Sequence, residues 1–314
     1  MIVEARGVRK SFKEVHALQG LDLEVAAGEI LGVLGPNGAG KTTTINILTT
    51  LMRPDAGEVR VDGIDVVADP AKVRPLIGLT GQFAALDANL TARENLILFG
   101  RLFKLGSATA AARADELLAQ FDLTDAADRR TGTFSGGMRR RLDLAASMIG
   151  NPKVLFLDEP TTGLDPRSRN ILWDKVRELR DSGVTVFLTT QYLAEADELA
   201  DRIVVIDKGT VIAEGTPAHL KTRVGGAVCE ITVSAELRPA VAQVLGDRWS
   251  ITHTETDIVV PAESAATMFE VVRLLDERSL IPETIGMRHP TLDDVFLALT
   301  GDAPAREDTS VDAQ

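Results

Sequence analysis

The segment ILGVLGPNGAGKT, residues 30–42, constrains this chain more than any other. Its first five residues are apolar and end at Gly35, as in a strand buried on both faces that feeds a glycine loop. GPNGAGKT at 35–42 satisfies G-x-x-x-x-G-K-[ST] at every position, and apolar residues recur at helical spacing over 41–51. Strand, glycine loop and helix in that order form a phosphate cradle. Gly35, Pro36, Asn37, Gly38, Ala39 and Gly40 make a tight loop whose backbone N–H groups close on phosphate oxygens. The helix N-terminus behind the loop adds roughly half a positive charge. Lys41 is expected to reach the β- and γ-phosphates and Thr42 to ligate Mg²⁺ through its hydroxyl, with Thr43 beside them at the nucleotide. The motif alone names no reaction, because GTPases, kinases and motors share it.

Two further segments narrow the chemistry. VLFLDEP at 154–160 is an apolar strand ending in two acids. Strand side chains alternate, so Asp158 and Glu159 point in different directions from adjacent positions. Asp158 suits a role at Mg²⁺, and Glu159 suits a general base for water at the γ-phosphate. The alternative is an acidic cap before a loop. FSGGMRRRL at 134–142 offers a second anion site: Ser135 caps a helix whose first turn is Gly136-Gly137, leaving backbone N–H groups open. A loop and a helix end clamp one triphosphate only if they face each other. On different subdomains of one chain they do not, so the clamp needs a second copy.

The remaining patterns give an organisation. Strands are expected at 2–8, 21–25, 30–34, 58–67, 153–157 and 184–190, and helices at 41–51, 93–104, 110–121, from about 135, 167–181 and 193–200. Residues 203–207 and 210–213 read as a closing hairpin around Lys208-Gly209. The whole is a P-loop, RecA-like α/β core, residues 1–221, interrupted by a helical insert at about 85–150. Residues 222–300 read as a small α+β domain in the order βαββαβ, a split-βαβ module, with a final helix at 291–299. The tail 301–314 is polar and is expected to be disordered. With 34 basic and 46 acidic residues, the net charge of −12 disfavours nucleic acid and direct docking on an anionic leaflet. Cys229 is the sole cysteine, on an alternating apolar strand face, and is expected to be a buried structural thiol in a reducing compartment. No apolar run approaches the ~20 residues of a membrane helix, and the N-terminus lacks the apolar core of a signal peptide.

In the order Walker loop (35–42), Gln82, Ser135-Gly136-Gly137, Asp158-Glu159 and Gly163-Leu164-Asp165, residues 1 to about 220 resemble the nucleotide-binding domains of ABC transporters. LTTQYLAEAD, FSGGMRRRLDLA and the C-terminal PTLDDVFLALTG further resemble the daunorubicin/doxorubicin-type drug-resistance exporters, over nearly the whole chain. The resemblance implies a head-to-tail homodimer with two ATPs sandwiched between the Walker loop of one subunit and the signature of the other. It also implies an export role, a separate polytopic permease at the cytoplasmic face of the membrane, and a C-terminal domain that helps hold the dimer. By it, Gln82 senses Mg²⁺ and the attacking water, Asp165 lies at the dimer seam, and Phe12 stacks on adenine; the alternative for Phe12 is a core aromatic at a strand end. Two positions depart from the family pattern. Met138 stands where Gln is usual after the signature glycines. Gln191 stands where a switch histidine is expected; an amide still donates to a γ-phosphate but takes up no proton near neutral pH. Hydrolysis is therefore expected to persist with Gln191 and to depend on Glu159.

The implied cycle runs from binding of ATP and Mg²⁺ at Lys41, Thr42, Asp158 and Gln82, through closure of two subunits, to hydrolysis and release. Residues 83–105 are the candidate contact with the permease, and Phe83–Asn95 a groove for its coupling helix; the alternative there is an ordinary surface loop. Two other readings stand beside this one: an exporter ATPase for another cargo such as lipid or polysaccharide, and a soluble ABC ATPase outside transport. A regulatory GTPase or kinase fits poorly, since no N-K-x-D segment is present.

Overall fold

The computed structural model describes residues 1–81, 85–224, 226–254, 257–262 and 264–300. They form two compact units, Met1–Pro217 and a second that begins at Ala218.

The first unit is built on two sheets. The strands are β1 (Val3–Phe12), β2 (Val15–Val25), β3 (Ile30–Leu34), β4 (Ala56–Val61), β5 (Ile64–Asp65), β6 (Ile77–Thr80), β7 (Val154–Asp158), β8 (Thr185–Thr190), β9 (Arg202–Asp207) and β10 (Thr210–Gly215). The central sheet has the order β10-β9-β3-β8-β7-β6, parallel throughout except for β10, which pairs antiparallel with β9. The second sheet, β2-β1-β4-β5, is antiparallel.

Alternation along the central strands explains how the layers stack. On β7, Leu155 and Leu157 enter a core shared with Leu96, Leu117, Phe121 and Leu142 of the helices. Val154 and Phe156 enter the opposite core, which they share with β1, β2 and β4. Each side chain points away from its neighbour, so one five-residue strand fills two cores. β3 and β8, likewise buried along their whole length, do the same. Strand ends therefore project from a well-fixed frame, and the loops at those ends carry the site.

Several boundaries differ from the sequence reading. β1 and β2 are longer than expected, and both continue past the core into a hairpin near Phe12. The stretch 58–67 is a hairpin and not one strand, because Asp62 and Gly63 take left-handed conformations that reverse the chain. β6 was not expected. It is four residues long and contains Gly78, where a Cβ would lie 2.6 Å from the Ser147 carbonyl oxygen, so close packing against a helix selects glycine over a strand former. In the insert, Ala92–Leu102 starts with a full capping box between Thr91 and Glu94, and Ser107–Gln120 and Gly136–Ser147 follow.

The second unit contains β11 (Val228–Thr232), helix Arg238–Gly246, β12 (Thr252–His253), β13 (Asp257–Pro261), helix Ala265–Glu277 and β14 (Thr284–Arg288), then helix Leu292–Thr300. Its sheet has the order β12-β13-β11-β14 with antiparallel pairing throughout, which is the split-βαβ arrangement. Cys229 is fully buried in its core, and burial pushes the thiol up to about 11. That leaves it protonated and inert at neutral pH. Leu292, Val295 and Phe296 of the final helix are also buried. The expected tail, 301–314, lies outside the described residues.

Candidate nucleotide site

The glycine loop joins β3 to the helix Lys41–Leu48. Gly38 and Gly40 take φ of +84° and +107°, a region that L side chains rarely adopt. A Cβ on Gly40 would also lie 2.6 Å from the Ala17 carbonyl oxygen, and one on Gly35 would collide with the Ile206 carbonyl oxygen. Ala39 is buried, and its carbonyl accepts the N–H of Gly209 at 3.0 Å. The β9–β10 turn thus braces the loop from behind.

A cavity of about 500 Å³ opens in front of it, lined by Pro36, Asn37, Gly38, Gly40, Lys41, Thr42, Thr43, Glu159 and Gln191 on one side and by Phe12, Val15 and Ala17 on the other. Phe12 is 44% exposed at its edge, with Lys10 5.7 Å from its ring centroid. It is therefore not a core aromatic but part of the cavity wall. Lys41 is buried; its Nζ donates to the Gly35 and Pro36 carbonyls at 2.7 and 3.3 Å and lies 3.4 Å from Glu159 Oε1. Burial lowers its pKa, opposed by the charges of Glu159 and Asp158.

Asp158 is buried at the end of β7 and takes hydroxyl hydrogen bonds from Thr42 at 3.1 Å and from Thr189 at 2.6 Å. Glu159 leaves the strand in the left-handed region, φ +48°, and its N–H donates to the Thr189 carbonyl. That reversal swings its carboxylate away from Asp158 towards the cavity, where Gln191, just past the end of β8, also arrives. The acidic-cap alternative does not describe this corner, because Glu159 meets Lys41 and caps no helix.

Ser135, Gly136 and Gly137 do not line this cavity. Ser135 caps the helix Gly136–Ser147, its hydroxyl accepting the Met138 N–H at 3.2 Å. Ser135 and Gly136 are exposed, whereas Gly137 is buried against Ser168 and Met138 packs partly buried against the core. Asp165, also exposed, caps the helix Pro166–Asp181, accepting both the N–H and the hydroxyl of Ser168. Those hydrogen bonds hold its carboxyl below the usual range. Gln82 and Phe83 lie outside the described residues.

The sequence reading passed over two residues at this corner. Thr189 anchors both Asp158 and Glu159. Arg140, the middle of three arginines, turns inward beneath them. Helical spacing signals it: Arg140 falls between Gly137 and Leu144, both on the buried face.

The chain is similar to known proteins over most of its length. The family model described as "ABC transporter" matches residues 18–162. The daunorubicin resistance ATP-binding protein DrrA2 of Streptomyces coeruleorubidus is 55% identical over 305 residues, 95% of each chain. The doxorubicin resistance ATP-binding protein DrrA of Mycobacterium tuberculosis is 48% identical over 313 residues, 96% of this chain and 94% of that one. Among solved structures, an ATP-binding cassette in a dimeric, post-hydrolysis state with ADP and phosphate bound superposes with a TM-score of 0.63 at 29% identity, over 68% of this chain and 98% of that one. No helix among the described residues is long and apolar enough to cross a membrane. Fold, phosphate loop and near-full-length relatives converge: this chain belongs to the ABC transporter family, as one of its ATP-binding, ATP-hydrolysing subunits.

Proposed function

We infer that this chain powers export of a hydrophobic drug or antibiotic through a separate membrane permease, working as an ATP-sandwiched homodimer. Near-full-length relatives named for daunorubicin and doxorubicin resistance support the cargo class. One observation carries the dimer: Lys41, Thr42, Glu159 and Gln191 share a cavity that Ser135, Gly136 and Gly137 do not reach. An exposed helix end with open N–H groups and no ligand role in its own chain is complementary to the γ-phosphate on another.

The residues act as follows. The loop N–H groups and Lys41 bind the β- and γ-phosphates, and Phe12 stacks on the base. Thr42 and Asp158 present a hydroxyl and a carboxylate 3.1 Å apart, an oxygen donor set that fits Mg²⁺. When bound, Mg²⁺ supplies charge neutralisation at the β- and γ-oxygens. Glu159 orients water and takes its proton, and Gln191 donates to the γ-phosphate. Gln82 belongs at the same water in this reading, and Asp165 at the seam. Closure of the partner's Ser135–Gly137 on the phosphates excludes bulk water.

The permease contact belongs to the insert. An apolar cavity of about 240 Å³ lies among Leu51, Leu79, Ala85, Phe99 and Phe103, with Leu51 and Phe103 exposed at its mouth. That supports docking of a partner helix in the 83–105 region, and hence a location at the cytoplasmic face through the permease. The small second unit is assigned to holding the dimer, with Phe269 and Val272 as exposed apolar side chains. The reading is tested by light scattering on Glu159→Gln. With ATP and Mg²⁺ it is expected to stop releasing phosphate and to accumulate as a dimer; a monomer under those conditions overturns the sandwich.

A further inference from the structure

The Arg140 side chain is nine-tenths buried beneath the Glu159 corner. It has five N–H donors, and the structure gives each one an acceptor. Nε donates to the Pro160 carbonyl at 2.6 Å. Nη1 donates to the Gly81 carbonyl at 2.6 Å and to Asp143 Oδ2 at 3.4 Å. Nη2 donates to the Asp158 and Glu159 carbonyls at 3.4 and 3.3 Å. Four of the five acceptors are backbone oxygens, so the grip is on the path of the chain and not on any one side chain.

The places gripped are informative. The Asp158 and Glu159 carbonyls stand on either side of the Glu159 Cα, the residue held at φ +48°. Fixing both peptide groups fixes that reversal, and with it the direction of the carboxylate. The Gly81 carbonyl lies just past the end of β6. Asp143, one helical turn after Arg140, accepts the Ala85 N–H at 3.2 Å. One i,i+3 pair on the signature helix therefore holds residue 81, residue 85 and the Glu159 corner together. Asp143 is itself buried, and burial pushes its carboxyl up to about 6, against the pull of Arg140 and the Ala85 N–H. A buried charge pair of this kind is a weak source of stability compared with apolar packing, so its presence calls for another reason.

We propose that Arg140 and Asp143 are a positioning pair that locks the Glu159 carboxylate in register with Gly81 at the end of β6 and with Ala85 of the helical insert. Because Ala85 also lines the apolar cavity at the insert, a displacement there is transmitted through two side chains to the base. Neither residue touches nucleotide; both act through the backbone of residues that do. The proposal rests on Glu159 as the base.

The test compares Arg140→Met, Arg140→Lys and Asp143→Asn with Glu159→Gln in the full-length chain. Nucleotide affinity, kcat and ATP-driven dimerisation are measured for each. Arg140→Met is expected to lose ~100-fold in kcat, the scale of an ångström-sized misplacement, with ATP affinity unchanged. It is also expected to accumulate as a dimer in ATP, because binding and closure survive while hydrolysis stalls. Arg140→Lys keeps the charge but has three donors for five acceptors, so kcat stays low. Asp143→Asn keeps an acceptor for Ala85 and loses only the charge; roughly a tenfold fall in kcat is expected. Wild-type kcat in Arg140→Met or Asp143→Asn, with Glu159→Gln inactive, overturns the pair and leaves the base standing. Full rescue by lysine, or loss of the ATP dimer in parallel with kcat, also overturns it, by reducing Arg140 to a charge or a packing element. Activity in Glu159→Gln overturns the reading beneath it.

Discussion

The chain has two glycine-rich turns that open helices, and they differ in why they need glycine. In the phosphate loop the chain itself demands it. Gly38 and Gly40 have φ that other residues avoid, and Gly35 and Gly40 leave no room for a Cβ. In the signature, Gly137 is likewise required, by Ser168 packed against it. Gly136 is not. Its φ is ordinary, and a Cβ there would meet only Leu164 Cδ2 at 3.7 Å, a normal contact. Among the described residues no contact demands small size at Gly136. Room for a Cβ at Gly136, beside the exposed N-cap Ser135, fits the proposed closure of a partner subunit on this helix end.

The contrast can be pressed from the strongest effect downward. Lys41→Ala removes the buried cation from the phosphate loop; ATP affinity is expected to fall by ~100-fold, the scale of charged hydrogen bonds to phosphate, in a nucleotide-binding titration. Gly137→Ala and Gly136→Ala separate the two glycines of the signature. The first forces a methyl into Ser168 and is expected to cost roughly 1–3 kcal/mol in a denaturant melt. The second is expected to leave the melt within about 0.5 kcal/mol and still to reduce ATP-dependent dimerisation. Equal destabilisation by both would erase the distinction drawn here. Phe12→Ala gives the smallest change, a loss of roughly fivefold in ATP affinity from about 1 kcal/mol of stacking.

How much of this was legible in the sequence follows from the range of the forces involved. The phosphate loop, β7 with its two acids, and Ser135 as a cap are local: each rests on residues within a turn or a strand of one another. All three could be read directly. So could the order of elements in the second unit, where alternation and helical spacing change cleanly from one segment to the next. β6 gives no signal and 58–67 reads as one strand because a contact with the Ser147 carbonyl and two left-handed residues decide them, and hydrophobic pattern carries neither. Arg140 was hidden for a different reason. Three consecutive arginines look like a solvated face, and only the helical phase shared with Gly137 and Leu144 turns the middle one inward. Its backbone partners, residues 81 and 158–160, lie outside its own helix and are not marked by local pattern.

The turn at Gly209 bears on how the site comes into being. Gly209 donates to Ala39, accepts from Gln19, and packs where a Cβ would strike the Ala17 carbonyl. The phosphate loop is eight residues long, but its brace is supplied about 170 residues later. Contacts that distant carry the entropic cost of closing the intervening chain. A nascent chain that has emerged only as far as β8 therefore carries the whole motif without the support that shapes it. The phosphate loop thus owes its shape to a turn that the sequence supplies only after the whole parallel sheet has been laid out.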